Sequence, residues 1–371
     1  MREGLTYKKL KDIGVVITGN TPSTKDKENY SSDDYCFVKP SDIAKDGVSI
    51  IKDSESYISE KGYNSSRKLP KGSVLTTCIG IIGKVGILEI DATCNQQINA
   101  IIPFRTILPK YLALAILSVK SQLEAMANAP VVPIINKGDF SNVEIPVPSF
   151  EEQERIVAEL DLLTGIIDKQ KQQLKELDTL AQSIFYDMFG NPEENTKCWR
   201  TEKFQTICTS LFAGGDVPKD NYSETKSETY NVPILSNGVG DKAVYGYTNK
   251  ARVFDECITI SGRGTIGYCE VRSEPFFPVV RLIVAVPNKD ILLPIVLKYI
   301  VDSLHLHGVG VAIPQLTIPM VKNVSIILPS MEMQCLFAKI IQSIESQKQS
   351  INRSIAESQK LFDYTMDKYF G

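Results

Sequence analysis

From Leu160 onward, apolar side chains return on alternating steps of three and four: Leu160, Leu163, Ile167, Leu174, Leu177, Ala181, Ile184 and Met188, with Gln170 falling in the same series. This is the narrow seam of a coiled coil, not the broad stripe of a helix packed on a globular core. A second seam ends the chain, reading Ile341, Ile344, Lys348, Ile351, Ile355, Ser358, Phe362, Thr365 and Tyr369. Its extra polar positions make it dependent on a partner helix. Ser149 and Glu152 form the start signal of the first helix, and Ser330 with Glu332 a weaker one for the second. Gly190, Asn191 and Pro192 stop the first helix, and Gly165 inside it costs about 1 kcal/mol relative to alanine. Pro148 and Ser149 stand opposite Pro329 and Ser330 at an offset of ~181 residues, as do Phe189 and Gly190 with Phe370 and Gly371. The two helices are therefore copies of one unit.

The segments before the helices repeat more loosely. Leu69–Pro103 and Val253–Pro287 each read as a β-rich run, a glycine turn, a second strand, a short loop and a third strand. At the offset of ~181, Gly83, Val85 and Gly86 match Gly264, Ile266 and Gly267. A helix follows in each copy, Pro109–Met126 and Leu293–Leu304, and then a loop and strand, Val131–Pro148 and Val311–Pro329. The stretches Leu10–Ser23 and Phe204–Pro218 share little beyond a short helix and a glycine turn, and Tyr35–Asp42 resembles Tyr230–Gly238 only in outline. The expected organisation is domain (1–148), helix (149–190), domain (191–329), helix (330–371). Matched helices with divergent loops suggest one scaffold carrying two different binding surfaces.

The 371 residues suffice for two domains and two long helices, and no apolar run has membrane-spanning length. With no N-terminal signal pattern, the cytoplasm is the expected location. The eight cysteines are scattered without metal-site spacing, so they are expected to be reduced and mostly buried. The net charge of -3 divides into about +2 for residues 1–150, about -5 for 151–190 and about zero for the remainder. The acidity thus sits in the first helix, and a basic partner could supply phosphate contacts that this chain lacks.

Enzyme motifs are missing from the sequence. Gly262, Gly264 and Gly267 spell G-x-G-x-x-G, but the strand-like TIGYCEV follows where a dinucleotide site needs a helix. His305 and His307 are the only histidines and have no cysteine nearby to complete a metal site. Asn191 and Pro192 precede Glu193 and Glu194, not the aromatic ring of an amino-methyltransferase motif, and read as a helix stop.

Loop donors suited to DNA are present in both halves. The first offers Asn20, Thr21, Ser23, Lys25, Lys39, Ser41, Thr77, Lys84, Asn95, Gln96 and Gln97; the second offers Lys219, Ser236, Asn237, Lys242, Arg263 and Arg281. Asn and Gln can pair with adenine in bidentate fashion, and Arg263, between two glycines, suits guanine. Each of these is also an ordinary turn residue.

The chain resembles the specificity subunit of Type I restriction-modification systems. The resemblance is carried by IPVPSFEEQERIV and its copy IILPSMEMQCLFA, the helix ends MFG and YFG, the turns IGIIGKVG and SGRGTIG, and TGNTPST with NQQINAIIP. It covers essentially the whole chain. Met333 and Cys335 depart from the pattern where Glu152 and Glu154 stand in the first copy, and AGGDVP replaces TPS in the second half. The resemblance implies a mixed α/β fold of two pseudo-twofold-related target-recognition domains, separated by a long antiparallel coiled coil of two helices. It further implies that each domain reads one half of a split double-stranded DNA target and that the helices set the spacing. Two methyltransferase subunits using S-adenosylmethionine, and motor-endonuclease subunits using ATP and Mg2+, would assemble on the chain, with the acidic face of residues 151–178 as a docking surface. No cofactor is expected in this chain itself. The rival readings are a DNA methyltransferase with atypical motifs and a coiled-coil scaffold without DNA readout.

Overall fold

The computed structural model describes residues 6–127, 132–308 and 314–371; Val131 and Val311, where the two returning loops were expected to begin, lie outside the described residues. The chain divides into two compact units, Met1–Gln170 with Ser354–Gly371, and Lys171–Arg353. Both long helices, Phe150–Phe189 and Met331–Phe370, run through this division, so each unit holds half of either helix.

The first unit is built on a five-stranded sheet in the order Gly14–Thr18, Ile98–Pro103, Val74–Thr77, Val85–Leu88, Val48–Ile51. Its pairs are antiparallel except the last, which is parallel. A three-stranded sheet sets Tyr35–Val38 between Tyr57–Ile58, antiparallel, and Thr93–Cys94, parallel. Tyr7–Lys9 pairs with Glu144–Pro146 just before the long helix. The helix Pro109–Ser118 buries Tyr111, Leu112, Leu114 and Ile116, and a second segment, Lys120–Met126, follows a break at Val119.

The second unit repeats this plan. Cys208–Ala213, Ile283–Pro287, Cys257–Ile260 and Cys269–Arg272 form its main sheet, and Val232–Leu235 lies between Val244–Thr248 and Phe277–Pro278 in a second. Arg200–Lys203 pairs with Ser325–Leu328, and Pro294–Ser303 is the packed helix. The edge strand Val48–Ile51 is the one element of the first main sheet without a counterpart here. Two relations were under-read from the sequence. The N-terminal stretches are equivalent throughout, each a strand, a four-residue helix (Leu10–Ile13, Phe204–Ile207) and the first strand of the main sheet. Tyr35–Val38 and Val232–Leu235 are the same central strand.

The glycine alignment at an offset of ~181 is corrected by the hairpin geometry. Gly83 N–H donates to Thr77 O at 3.0 Å with φ +77°, and Gly267 N–H donates to Ser261 O at 2.9 Å with φ +84°. Gly83 is therefore the partner of Gly267, and Gly80 (φ +77°) of Gly264 (φ +68°). Gly86 instead lies inside the strand Val85–Leu88.

The helices run antiparallel within each unit. In the first, Ile156 and Leu160 share a core with Met366, Tyr369 and Phe370; in the second, Ala181, Phe185 and Phe189 share one with Phe337, Ile341 and Ile344. Leu163 and Ile167 are buried as the seam requires, but Leu174, Leu177, Ile184, Ile351, Ile355 and Phe362 are only half-buried. At the domain ends the buried face broadens beyond the seam. Phe185 and Phe189 replace Ile184 and Met188 as the buried residues because they stack into a cluster with Tyr299 and Phe337, at centroid distances of 5.1–5.7 Å.

The helix starts follow the predicted caps. Ser149 Oγ accepts from Glu152 N–H at 3.3 Å, and Ser330 Oγ from Met333 N–H at 3.4 Å. The reciprocal half of the expected capping box is replaced: the Glu152 carboxylate is gripped by Arg155, whose Nε and Nη2 lie 2.9 and 2.5 Å away. Gly190 (φ +76°) ends the first helix, and Trp199 Nε1 donates to the Phe189 carbonyl at 2.8 Å.

Candidate nucleic-acid interface

In the first unit the hairpin tip between Thr77 and Lys84, the turn Asn95–Ile98 and the segment after Thr18 meet at one end of the main sheet. The turn is tied to the tip by Cys78 N–H on Gln97 O, 2.8 Å, and to the preceding segment by Gly19 N–H on Ile98 O, 2.9 Å. Gly19 is obligatory here, since a Cβ would lie 2.1 Å from Asn95 O. Thr21 Oγ1 donates to Gln96 Oε1 at 2.6 Å, and Gln96 is exposed. Asn20 Oδ1 accepts from Arg67 N–H at 2.8 Å, and Arg67 Nη1 donates to Thr18 O at 2.5 Å. The consecutive residues Asn20 and Thr21 thus bring half-buried Asn20 with Arg67, and Thr21 with Gln96, into one polar cluster.

Several residues proposed from the sequence have structural duties in the same region. Thr77 is buried, its hydroxyl donating to Ile81 O at 2.6 Å and accepting from Lys84 N–H at 3.0 Å. Lys84 Nζ donates to the carbonyls of Pro40 and Ile43, both at 2.8 Å. Asn95 is buried and shapes its own turn, accepting from Gln97 N–H at 3.1 Å and donating to Gln97 Oε1 at 2.8 Å. These four side chains, Thr77, Lys84, Asn95 and Gln97, frame the surface and do not extend from it. Lys39 donates to Ser56 Oγ at 2.8 Å, while Ser23, Lys25 and Ser41 stand exposed on neighbouring turns. Beneath the cluster, burial pushes the Cys78 thiol up to about 11 and the Cys94 thiol up to about 12, so both are unreactive packing groups.

The second unit builds the equivalent end from other residues. Asn237 joins the hairpin tip to the turn Val279–Leu282, accepting from Gly262 N–H at 2.7 Å and donating to Val280 O at 2.7 Å. Arg263 and Arg281 are both exposed, and Arg263 Nη2 donates to Gln315 Oε1 at 3.0 Å. Ser236 faces inward onto Ala243 O at 3.4 Å, with Lys242 exposed on the adjoining turn. Lys219 lies apart from this group, beside a groove lined with Tyr222 and Tyr245, whose rings are 5.9 Å apart. Arg67, Gln315, Tyr222 and Tyr245 were not singled out from the sequence. Arg67 stands in the polar run Asn64-Ser65-Ser66-Arg67-Lys68, a signal that could have marked it.

The G-x-G-x-x-G is a hairpin tip followed by the strand Cys269–Arg272, as its sequence context indicated. Asn191 is held in the helix stop, its N–H on Thr196 Oγ1 at 3.0 Å and its Oδ1 accepting from Glu193 N–H at 2.9 Å. Among the described residues no group of three or more His, Cys, Asp or Glu side chains could hold a metal ion.

The family model described as "Type I restriction modification DNA specificity domain" matches residues 2–179 and 197–358. The chain is 26% identical to the Type I restriction enzyme MjaIX specificity subunit of Methanocaldococcus jannaschii, over 97% of this chain and 91% of that protein. It is 33% identical to the EcoR124I/EcoR124II specificity subunit of Escherichia coli over 53% of this chain and 51% of the other. Among solved structures, its fold is similar to that in a structure described as the basis of complex assembly and conformational transition of the type I R-M system, with a TM-score of 0.64 at 19% identity, covering 100% of this chain and 98% of that one. The S subunit from M. genitalium gives a TM-score of 0.55 at 14% identity, over 100% and 98% of the two chains.

Proposed function

Because the chain belongs to the family of Type I restriction modification DNA specificity domains, whose model covers both of its halves, we propose that it is the DNA-specificity subunit of a Type I restriction-modification complex. Each globular half reads one part of a bipartite double-stranded target. The observation that carries this reading is one topology used twice with unlike polar side chains: exposed Thr21, Arg67 and Gln96 with half-buried Asn20 in the first unit, exposed Arg263 and Arg281 with half-buried Gln315 in the second. A shared scaffold with different edge donors is what two different half-sites require. Of the sequence candidates, Ser23, Lys25, Lys39, Ser41, Lys219 and Lys242 are assigned to phosphates, which position the protein without reading bases.

The paired helices set the gap between half-sites. Each has 40 residues, about 60 Å at 1.5 Å per residue, against ~34 Å for one turn of DNA. The chain has no catalytic role of its own in this reading. Two methyltransferase subunits using S-adenosylmethionine, and motor-endonuclease subunits using ATP and Mg2+, carry the chemistry in the cytoplasm. Among the described residues no helix is long and apolar enough to cross a membrane. In the first unit the helices expose Leu162 (67%), Leu361 (51%) and Tyr364 (68%), with Ile166 beside them in sequence register. All four fall on the positions that flank one side of the seam, where a methyltransferase subunit would dock together with the acidic face of residues 151–178.

The test is to map methylated bases in host DNA with and without the gene. A bipartite sequence whose methylation disappears on deletion is expected, and replacing residues 1–145 with those of a relative should change one half-site only. Unchanged methylation on deletion, or a change in both half-sites on exchange, would refute the assignment.

A further inference from the structure

We propose that Asn237 is the positioning residue that sets base discrimination by the second unit, by locking together the two segments that present Arg263 and Arg281. This inference rests on the DNA-reading function above. Asn237 follows the central strand Val232–Leu235, and its one amide makes contacts in two directions. Its Oδ1 accepts from Gly262 N–H at 2.7 Å and from Arg263 N–H at 3.4 Å, while its Nδ2 donates to Val280 O at 2.7 Å. The hairpin tip and the turn are therefore joined through a single side chain.

The turn needs such a hold. Val280 (φ 53°) and Arg281 (φ 65°) are consecutive non-glycine residues in the left-handed region, and a β-branched residue is rarely found there. Strain of this kind persists only where neighbours over-determine the backbone. Here Val280 N–H donates to Gly215 O at 2.9 Å and Arg281 N–H to Gly214 O at 3.2 Å, and Asn237 secures the Val280 carbonyl. The equivalent turn of the first unit, Asn95–Ile98, is held from within by Asn95 and has no residue of positive φ. Arg281 occupies the place of Gln97, and the strained turn directs it outward, exposed, where Gln97 folds back on Asn95.

The chemistry matches a pair of guanine edges, or one guanine edge and a phosphate. A guanidinium pairs with guanine O6 and N7 in bidentate fashion only when its approach is fixed; a loose arginine binds phosphate without regard to sequence. Gln315 steadies the Arg263 fork from the side, and Asn237 fixes the backbones beneath both arginines.

The experiment uses the full chain assembled with the methyltransferase subunits of its own system, and duplexes carrying the methylated site or single-base changes in either half. Asn237→Ala is expected to reduce discrimination at the second half-site about ten-fold or more while leaving discrimination at the first half-site intact. Asn237→Asp, which keeps size and acceptor but loses the donation to Val280, is expected to fall between. Discrimination is a ratio within one preparation, so a lower folded fraction does not move it. In an Arg263→Ala/Arg281→Ala background, Asn237→Ala is expected to add no further loss. An additional, independent loss in that background, or unchanged discrimination in both Asn237 variants, would overturn the positioning role alone. If the double arginine variant itself reads the second half-site as the native chain does, this face is not the reading surface, and both the inference and its premise fail there.

Discussion

Gln170 Nε2 donates to Ser354 Oγ across 2.7 Å at the inner end of the first unit's helix pair, and Gln170 Oε1 is buried with no partner among the described residues. A polar layer of this kind costs stability, because the unpaired carbonyl has given up water for nothing in return. Polar residues in a seam fix its register at such a cost. Replacing the pair with Gln170→Leu and Ser354→Ala is expected to raise the stability of the chain by about 1 kcal/mol, read by chemical denaturation. A lowered midpoint would show that Gln170 is better satisfied than its geometry indicates.

The seam lysine predicts a pH effect. Lys348 Nζ lies 2.8 Å from Asp178 and 2.9 Å from Glu345, and although burial works against its charge, the two carboxylates hold its pKa above the ordinary lysine value of 10.5. A group raised on folding contributes stability that is complete below its unfolded value and lost as pH rises through the folded one. The native chain should therefore lose stability above pH 10.5 by a component that Lys348→Met lacks. At neutral pH the Met variant should be less stable, since Asp178 and Glu345 lose the cation they share and are left as neighbouring like charges. Melting curves of the two proteins between neutral and strongly alkaline pH test both statements.

Gln153 and Gln334 perform the same task in the two units. Gln153 Oε1 accepts from Leu108 N–H at 3.0 Å and its Nε2 reaches Thr106 O and Pro148 O, each at 3.1 Å; Gln334 does the same with Leu293 N–H at 2.9 Å, Ile291 O at 3.0 Å and Pro329 O at 2.9 Å. Both side chains are buried, so truncation strands three backbone groups. Gln153→Ala and Gln334→Ala are each expected to cost about 2 kcal/mol or more. Amide exchange should accelerate near 106–109 in one variant and near 291–294 in the other. Exchange that spreads equally over both units would contradict separate clamps.

The helix length carries the fourth prediction. One heptad inserted into each long helix, after Gln170 and before Ser354, adds about 10 Å, the rise of roughly three base pairs. The preferred gap should lengthen by that amount with both half-sites unchanged, as seen in the methylated sites. An unaltered gap would end the ruler account.

Local periodicity made the helices legible. Leu160, Leu163 and Ile167 announce a seam because a helix brings them together whatever surrounds it, and Ser149 and Gly190 mark the ends by backbone chemistry that neighbours barely alter. The broadened ends were not legible. Phe185 is buried by Tyr299 and Phe337, both more than a hundred residues further along the chain, and no local period encodes that contact. Among the interface residues, the hairpin glycines and Asn237 stood out from the sequence, whereas Arg67 and Gln315 did not.

What the sequence by itself determined is the duplication, the two rods and the family they belong to, since repeats, caps and period are properties of neighbouring residues. What only the tertiary structure decided is which glycines correspond, and which candidate donors face outward. Gly83 pairs with Gly267 through φ and a returned hydrogen bond, and Thr77 and Asn95 turn inward while Gln96, Arg263 and Arg281 remain exposed. The physical reason is that a polar side chain in a turn can satisfy its own backbone or a ligand, and only the packing around it selects between the two.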